Sequence, residues 1–332
     1  MHSISGAWNW VRNWRSSSHP PSATRAVGMP PQALRDFSSK LTSGIEPEAR
    51  RLGDVRISLI ITTYNWPQAL DLVLTSVAGQ RRMPDEVIVA DDGSGEDTAR
   101  LVASWSSRLG TPLHHVWQEN KGFRAGRSRN RAIAAARGEY IILLDGDMVL
   151  EEHFVADHEH ASAPGYFVQG VRIFTTASCS ARMLKDRVTS VGPLTPGVRR
   201  PHLAVRSPLL SKYFSSPGVP MPRVKSCNQG FWRSDLIAVN GFNEEIRGWG
   251  PEDKECVARL MHLGVRGVQL RFAALATHLY HPTRAPAGMN PNDAILAATL
   301  ASRSTWCDAG LDQHLVEFAE GIPASARSPW RI

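Results

Sequence analysis

The sequence predicts an α/β fold in which helices flank a single, mainly parallel sheet. Short apolar segments typical of buried strands alternate with amphipathic segments of helical length, and this alternation indicates right-handed crossovers between parallel strands. The chain has 332 residues, which is enough for one large domain with appendages. Its composition, 42% hydrophobic and 21% charged, is that of an ordinary soluble protein.

The alternation of apolar strand-like and amphipathic helix-like segments begins near residue 56 and predicts the elements of the first half. The predicted strands are 57–61, 86–90, 115–118 and the apolar run 140–144. The predicted helices are 67–78, 97–109 and one through 129–137. The first helix carries Pro67 in its first turn, where the missing N–H costs no hydrogen bond.

The second half is less regular. Residues 174–225 are rich in Ser, Pro and Arg, and we predict a loop-rich insertion there, which in a compact domain is either a functional lid or disordered. Regular structure is then predicted for helices 233–239 and 251–263, for strands within 265–278 and for a helical tail. The predicted organisation is an extension at 1–50, one domain at 51–285 that contains the insertion, and a tail at 286–332.

An acidic triplet, Asp145-Gly146-Asp147, ends the fourth apolar run. Residues two apart on a strand share a face, so both carboxylates are expected to project toward one hard cation, with the glycine leaving the space between them open. The carboxyl ends of such strands are where open α/β sheets bind ligands, and a divalent ion there would suit a diphosphate. The alternative is a solvated turn, because Asp-Gly is a common turn dipeptide.

Net charge and cysteine content narrow the class of protein. The chain has 38 Lys and Arg and 31 Asp and Glu, a net charge of +7, which favours anionic partners such as nucleotides, acidic glycans or lipid head groups. The alternative is that these basic residues only form a solvated surface. The four cysteines form no CxxC pair, so neither a zinc site nor a disulfide framework is expected, and a reducing cytoplasm fits best. No run approaches the roughly 18 apolar residues of a membrane helix, and no signal peptide is recognised.

The N-terminal extension is predicted to be flexible or loosely packed. Within it, tryptophans and arginines are interleaved at Trp8, Trp10, Arg12, Trp14 and Arg15. This composition suits a short amphipathic helix in a membrane interface and predicts peripheral contact at the inner face of a membrane. The alternative is that the tryptophans fold back onto the domain.

Several motifs occur in a fixed order along the chain. In the first half they are Thr62-Thr63-Tyr64-Asn65, Asp91-Asp92-Gly93-Ser94, Asn120-Lys121-Gly122, Ala125-Gly126-Arg127-Ser128-Arg129-Asn130 and the acidic triplet. In the second half they are Asn228-Gln229-Gly230-Phe231-Trp232-Arg233, Asn240-Gly241-Phe242-Asn243-Glu244 and Gly248-Trp249-Gly250-Pro251-Glu252-Asp253. The ordered set resembles the inverting family 2 glycosyltransferases of the GT-A fold. Its second half is similar to β-1,4-galactosyltransferases and to the transferase domains of chondroitin polymerases.

The resemblance implies a nucleotide-binding sheet and assigns its contacts. The residues expected to line the nucleoside cleft are Thr63, Tyr64 and Asn65. Asp91 or Asp92 is expected to accept a hydrogen bond from the base, unless both only cap the next helix. Positive charge near the phosphates or ribose is expected from Lys121 and Arg129, although the helix of Arg129 could simply expose its cations.

The resemblance also implies a Mn²⁺ or Mg²⁺ site. Asp147 is the expected direct ligand, while Asp145 contacts the ribose or holds the metal through water. A histidine ligand is expected downstream, where His278 and His281 are both suitable and His278 is slightly preferred.

The catalytic base implied by the resemblance is Asp253, because inversion requires one carboxylate opposite the leaving group. Glu252 is expected to bind a sugar hydroxyl. The acceptor side would be completed by Trp249, whose flat face suits a pyranose ring, together with Gly250 and Asn228. The alternative is that Glu252 and Asp253 only complement the positive end of their helix.

These expectations describe a metal-dependent inverting glycosyltransferase that uses a nucleotide sugar, foremost a UDP-sugar, and a glycan or glycolipid acceptor. The alternatives are a non-catalytic carbohydrate- or nucleotide-binding module of the same fold and a sugar nucleotidyltransferase. The latter should carry a glycine-rich, arginine-containing loop after the first strand, which is absent here. No nucleic-acid partner is expected, because no binding motif accompanies the positive charge.

Overall fold

The computed structural model describes residues 55–282 and 290–330, so the tryptophan and arginine residues at 8–15 lie outside the described part of the chain. The strands formed there are β1 (Ile57–Thr63), β2 (Glu86–Asp91), β3 (Leu113–Trp117), β4 (Tyr140–Asp145), β5 (Met148–Leu150), β6 (Tyr166–Gln169), β7 (Val171–Thr175), β8 (Val198–Arg199), β9 (Ser216–Pro217), β10 (Asn228–Trp232), β11 (Arg266–Gln269) and β12 (Leu275–His278).

The α-helices within these residues connect and cover the strands. They are α1 (Pro67–Ala78), α2 (Glu96–Trp105), α3 (Ala125–Ala135), α4 (Phe154–Ala161), α5 (Ala177–Asp186), α6 (Pro208–Phe214), α7 (Arg233–Ala238), α8 (Glu252–Leu263), α9 (Asp293–Ser302) and α10 (Asp312–Glu317). In the described residues, no helix combines the length and apolar content that a membrane crossing would need.

The central sheet has the strand order β3-β2-β1-β4-β10-β6-β11-β9. Its first four strands are parallel, and their register pairs Thr63 with Asp91 and Thr62 with Asp145. The carboxyl ends of β1, β2 and β4 therefore meet at one edge of the sheet, as the alternation predicts. Strand β10 joins this block antiparallel to β4.

A second sheet, in the order β5-β12-β7-β8, adjoins that edge. Strand β12 runs antiparallel to β5 and places His278 opposite Met148, the residue after Asp147. The Leu279 N–H donates to the Asp147 carbonyl at 2.9 Å, which ties the two segments together. This small sheet thus brings together two segments that lie about 130 residues apart in the sequence.

Both faces of the central sheet are covered. In β1, Leu59 and Ile61 pack into the core cluster that contains α1, while Ile60 packs into the cluster on the opposite face. Successive strand residues point to opposite faces, so a strand with helices on both sides must be apolar at nearly every position. This explains why β1, β2 and β4 are continuous apolar runs.

The predicted loop-rich insertion contains more regular structure than expected. Helices α5 and α6 both form within it, and each begins at a residue whose side chain caps the helix. Thr176 accepts from the Cys179 N–H, and Ser207 accepts from the Leu210 N–H, both at 3.3 Å. The high proline content concealed these caps, although Pro208 is itself the first residue of α6, a position where proline is tolerated.

Candidate active site

The acidic triplet is a turn and not the end of a strand. Strand β4 ends at Asp145, and Gly146 and Asp147 turn into β5. The Gly146 N–H donates to the Thr62 carbonyl at 2.7 Å, and a Cβ on this glycine would lie 2.9 Å from the same oxygen. The expectations that the two carboxylates share a strand face and that the glycine opens a space between them are therefore wrong. The glycine allows the turn to approach β1.

Asp147 lies in a cluster with both predicted histidines. Its Oδ2 is 3.5 Å from His278 Nε2 and 3.2 Å from His281 Nε2, and the three groups offer ligand atoms within 4.8 Å of one another. Asp147 Oδ1 is buried and has no hydrogen-bond partner. A carboxylate suits Mg²⁺ or Mn²⁺ and imidazole suits transition metals, so this donor set fits Mn²⁺ best.

The electrostatics of the two imidazoles differ. Hydrogen bonding to Asp147 raises the pKa of His281 above its usual value. Burial lowers the pKa of the more enclosed His278, although the Asp147 carboxylate opposes this shift. His278 is thus held toward the neutral form that a metal ligand requires.

Asp145 lies outside this three-residue cluster and is bridged to Glu252 by Arg129. The Arg129 guanidinium, almost fully buried, lies 3.2 Å from Asp145 Oδ1 and 3.0 Å from Glu252 Oε1. Burial lowers the pKa of Arg129, but Asp145, Glu252 and Asp253 outweigh it and the net shift is upward. Arg129 is therefore neither an exposed cation nor free to meet a phosphate, and it connects the two halves of the site instead.

Glu252 and Asp253 begin helix α8, which brings their carboxylates to the positive end of that helix. Asp253 Oδ2 accepts from the Ser226 N–H at 3.3 Å, and Oδ1 accepts from the Lys254 N–H at 2.8 Å. Burial raises the pKa of Glu252, with Arg129 opposing the shift.

Cys227 lies in a segment that contacts both the acidic triplet and helix α8. The next residue, Asn228, pairs with Leu144, which precedes Asp145. The backbone N–H of the residue before Cys227 donates to Asp253 at 3.3 Å. Burial raises the pKa of the Cys227 thiol to about 12, and the negative charges of the site carboxylates add to that shift. This segment therefore connects the strand that ends in the acidic triplet to the proposed base.

Arg172 is a site residue that the sequence did not reveal. It lies on β7, and its Nη1 is 3.9 Å from Cys227 Sγ. Its positive charge opposes the upward pKa shift of Asp145 and lowers the pKa of His278. The only signal was the alternation in Val171-Arg172-Ile173-Phe174-Thr175, which exposes Arg172 on the face of β7 opposite to the buried valine and isoleucine.

The nucleoside residues gather at the ends of β1 and β2. Asp91 is fully buried, and both of its carboxylate oxygens have partners. Its Oδ1 accepts from the Gly93 and Ser94 N–H groups, and its Oδ2 lies 2.9 Å from His115 Nε2. Asp92 accepts from the Arg124 N–H at 2.7 Å, and burial raises its pKa. These aspartates thus order the turn and the following loop, and neither caps α2, whose N-cap is Gly95.

Thr63 is buried beside the triplet, whereas Tyr64 and Asn65 face solvent. The Tyr64 hydroxyl accepts from Asn120 Nδ2 at 3.0 Å, which joins this segment to the loop of Lys121. Lys121 itself is exposed and pairs with Glu119 at 2.8 Å.

Of the residues predicted to bind the acceptor, Trp249 and Gly250 lie in the loop that precedes α8. Trp249 is 57% exposed, and its carbonyl accepts from Asn290 and Asn292. Gly250 is packed so closely that a Cβ would lie 2.7 Å from Asn292 Nδ2. These contacts fix the loop that precedes α8.

Asn228 does not fit the predicted sugar contact. Its side chain is fully buried, and its Nδ2 donates to the carbonyls of Val171 and Ala274 at 2.9 Å. Its Oδ1 accepts from His158 Nε2 at 2.9 Å. All of its donors and its acceptor oxygen are engaged inside the fold, so this assignment is corrected to a structural role.

Comparison with known proteins agrees with this geometry. Residues 58–196 match the model of glycosyl transferase family 2, and residues 210–282 match that of the N-terminal domain of galactosyltransferase. The chain is 36% identical to a hyaluronan synthase of Pasteurella multocida over 123 residues, 36% of this chain and 12% of that protein. It is 26% identical to a chondroitin synthase of Pasteurella multocida strain Pm70 over 260 residues, 70% of this chain and 26% of that protein. The chain thus spans about a quarter or less of the length of these relatives.

Among solved structures, TarS 1-349 of S. aureus in complex with UDP superimposes with a TM-score of 0.50 at 20% identity, over 80% of this chain and 70% of that one. This likeness shows a shared fold. Together, the sheet, its acidic turn and the two family matches define a glycosyltransferase of the GT-A fold. The chain carries a glycosyl transferase family 2 domain followed by a galactosyltransferase-type region, which confirms the family predicted from the motifs.

Proposed function

We propose that this glycosyltransferase is metal-dependent and inverting, and that it transfers a sugar from a nucleoside-diphosphate sugar, foremost a UDP-sugar, to a hydroxyl group of a glycan or glycolipid acceptor in polysaccharide or glycoconjugate biosynthesis. The observation that carries the proposal is the cluster of Asp147 with His278 and His281, whose neighbour Asp145 is joined through one buried guanidinium to Glu252, the residue before Asp253. Relatives that are hyaluronan and chondroitin synthases, and a solved structure in complex with UDP, support the substrate class.

The residues that would hold the metal are Asp147, His278 and His281, with Asp145 reaching it through water. A divalent cation bound there would act as a Lewis acid that stabilises the departing nucleoside diphosphate. Arg172 and Lys121 would add positive charge near the phosphates or ribose, while Arg129, held between Asp145 and Glu252, would act from within the site.

Asp253 is the group we assign to the proton of the acceptor. The acceptor oxygen attacks C1 of the sugar and forms the new C–O bond, while the bond from C1 to the diphosphate oxygen breaks. The hydroxyl proton passes to the Asp253 carboxylate, and the electron pair of the broken bond leaves with the nucleoside diphosphate. A single displacement of this kind inverts the configuration at C1.

The remaining residues bind and orient. Thr63, Tyr64 and Asn65 line the nucleoside cleft, whose loop is held by Asp91 and Asp92. Trp249 offers an exposed ring to a pyranose, and Gly250 lets its loop pack closely. The four cysteines are free and buried, which agrees with a reducing cytoplasm as the place of action.

A panel of nucleotide sugars tests the enzyme class and the donor together. We expect one donor to give nucleoside-diphosphate release that depends on Mn²⁺, and the product to have the anomeric configuration opposite to that of the donor by NMR. Asp147→Asn should weaken Mn²⁺ binding by at least about tenfold in calorimetry. The matched control is Glu151→Gln, which alters the other acidic and histidine cluster, Glu151, Glu152 and His153, and should change nothing. Retention of configuration in the product would contradict the single displacement.

A further inference from the structure

An exposed surface that is both apolar and basic lies at the β9 edge of the central sheet. No residue of α6 is buried, and Leu209, Tyr213 and Phe214 are 66%, 72% and 54% exposed. Exposed basic side chains surround them on α6 and on the segments that adjoin it. We call the following residues the edge surface: Leu209, Tyr213, Phe214, Lys212, Arg223, Arg266 and Arg271.

Helix α6 is fixed in this outward position by contacts with the chain that follows β11. The Ser207 N–H donates to the Phe272 carbonyl at 2.9 Å, and the Arg271 N–H donates to Ser215 Oγ at 3.1 Å. The Phe214 and Phe272 rings meet edge to face, with their centroids 5.8 Å apart. The apolar side chains are thus held in place on the outside of the fold.

The charged residues of the edge surface are all basic. Within the described residues, none of Lys212, Arg223, Arg266 and Arg271 forms an ion pair with a carboxylate. The sequence from residue 187 to residue 234 contains eight Lys or Arg and no Asp or Glu. Arg187 and Arg206 of this segment pair with carboxylates elsewhere, but the cations of the edge surface do not, which leaves a positive field beside the exposed apolar side chains.

We propose that the edge surface docks the protein on a lipid bilayer with anionic head groups. Leu, Tyr and Phe side chains would enter the boundary between head groups and acyl chains, while the four cations would meet the anionic head groups. A second copy of this chain fits poorly, because a two-fold contact would set four unpaired cations against four more. A glycan fits poorly as well, since small polar ligands are fixed by directed polar groups and the side chains at the centre of this surface are Leu209, Tyr213 and Phe214.

The position of the edge surface gives docking a consequence for the active site. The chain runs from α6 through β9 to Ser226, whose N–H donates to the proposed base Asp253. Docking would therefore hold the acceptor side of the site near the bilayer. The docking itself requires no turnover, so its test is independent of the proposed function.

The experiment is co-sedimentation of the full chain with vesicles of phosphatidylcholine alone or of phosphatidylcholine with phosphatidylglycerol. We expect binding to the anionic vesicles to exceed binding to the neutral ones by about tenfold or more, and to fall as salt is raised. Leu209→Ser with Tyr213→Ser should lower the partition coefficient about tenfold. Lys212→Glu with Arg271→Glu should remove the preference for anionic lipid.

The matched controls are exposed residues elsewhere: Val316→Ser with Leu263→Ser for the apolar pair, and Arg56→Glu with Arg327→Glu for the charges. All variants are also tested with Trp8, Trp10 and Trp14 changed to serine, so that an N-terminal contact is separated from this one. Equal binding by the edge-surface variants and their controls, or binding lost only with the three tryptophans, would overturn the proposal. So would a failure of the unaltered chain to bind anionic vesicles.

Discussion

At the scale of single residues, Arg129 joins the donor side of the site to the acceptor side. Its guanidinium lies between Asp145, which precedes the acidic turn, and Glu252, which precedes the proposed base. A planar fork can hold two carboxylates at fixed positions, whereas an ammonium group is a single point charge. Arg129 is thus a positioning residue whose effect on transfer passes through Glu252 and α8.

We expect Arg129→Lys to lower kcat by about a hundredfold while the dissociation constant of the nucleotide stays within about threefold, because charge is kept and alignment is lost. Arg131→Lys is the control, since Arg131 lies on the same helix, is equally buried and pairs with Glu317 away from the site. Steady-state kinetics and calorimetry measure the two quantities. Similar losses of kcat in both variants would show that Arg129 matters only for folding.

The sequence predicted which residue types gather at the site better than it predicted what each one does. The side chains of Asp147, His278 and His281 lie together, as a shared metal site would require, whereas the role of Asp253 as base stays a prediction. The buried roles of Asn228 and Arg129 could not be predicted. They depend on partners such as Val171 and Glu252, which only the folded chain brings within hydrogen-bonding distance.

At the scale of elements, helix α4 is locked to the sheet through His158. Its imidazole is fully buried, and its Nε2–H donates to Asn228 Oδ1 on β10 at 2.9 Å. Burial lowers the pKa of His158 to about 4, with Asn228 and Asp157 opposing the shift. Its Nδ1 has no partner in the fold, so a proton there would be buried without an acceptor.

This arrangement makes part of the stability depend on pH. Between about pH 6.5 and pH 4 the unfolded chain binds a proton at His158 and the folded chain does not, so the free energy of unfolding should fall as the pH falls through this range. The contribution is on the order of 3 kcal/mol. In His158→Gln, urea unfolding at several pH values should show a fall that is smaller by this amount. Identical pH profiles for variant and wild type would exclude a buried neutral imidazole.

The elements themselves were predictable where periodicity is strong. The predicted strands at 57–61 and 86–90 and helix 67–78 match β1, β2 and α1, because a two-sided parallel sheet demands continuous apolar strands. Helices α5 and α6 were missed, because nonperiodic Ser, Pro and Arg surround them. Their stability depends on caps and on contacts with α1, for α5, and with the chain that follows β11, for α6.

At the scale of the whole molecule, the helical segment 290–330 contributes buried side chains to the core. Leu311 is fully buried in the cluster that contains Ile60 of β1 and Leu260 of α8. Asn292 also supports the carbonyl of Trp249 in the loop before the proposed base. The sequence predicted the helices of this segment but not its contacts, since these join residues more than forty positions apart.

We expect Leu311→Ala to lower the free energy of unfolding by about 3 kcal/mol, because it leaves a cavity in a closed core. Val316→Ala, at a residue of α10 that is 83% exposed, should change it by less than about 0.5 kcal/mol. Chemical denaturation gives both values. A small loss for Leu311→Ala would mean that the segment packs only loosely on the rest of the chain.

The central claim is that Asp253 removes the proton of the acceptor in a site whose nucleotide-binding part does not need it. The most direct test compares Asp253→Asn with Asp97→Asn, since both aspartates are the second residue of a helix that begins with glutamate, and Asp97 is exposed. We predict that Asp253→Asn lowers the rate of sugar transfer by at least about a thousandfold while Mn²⁺-dependent UDP affinity stays within about twofold, and that Asp97→Asn changes neither. Transfer by Asp253→Asn at more than about a tenth of the wild-type rate would contradict the account.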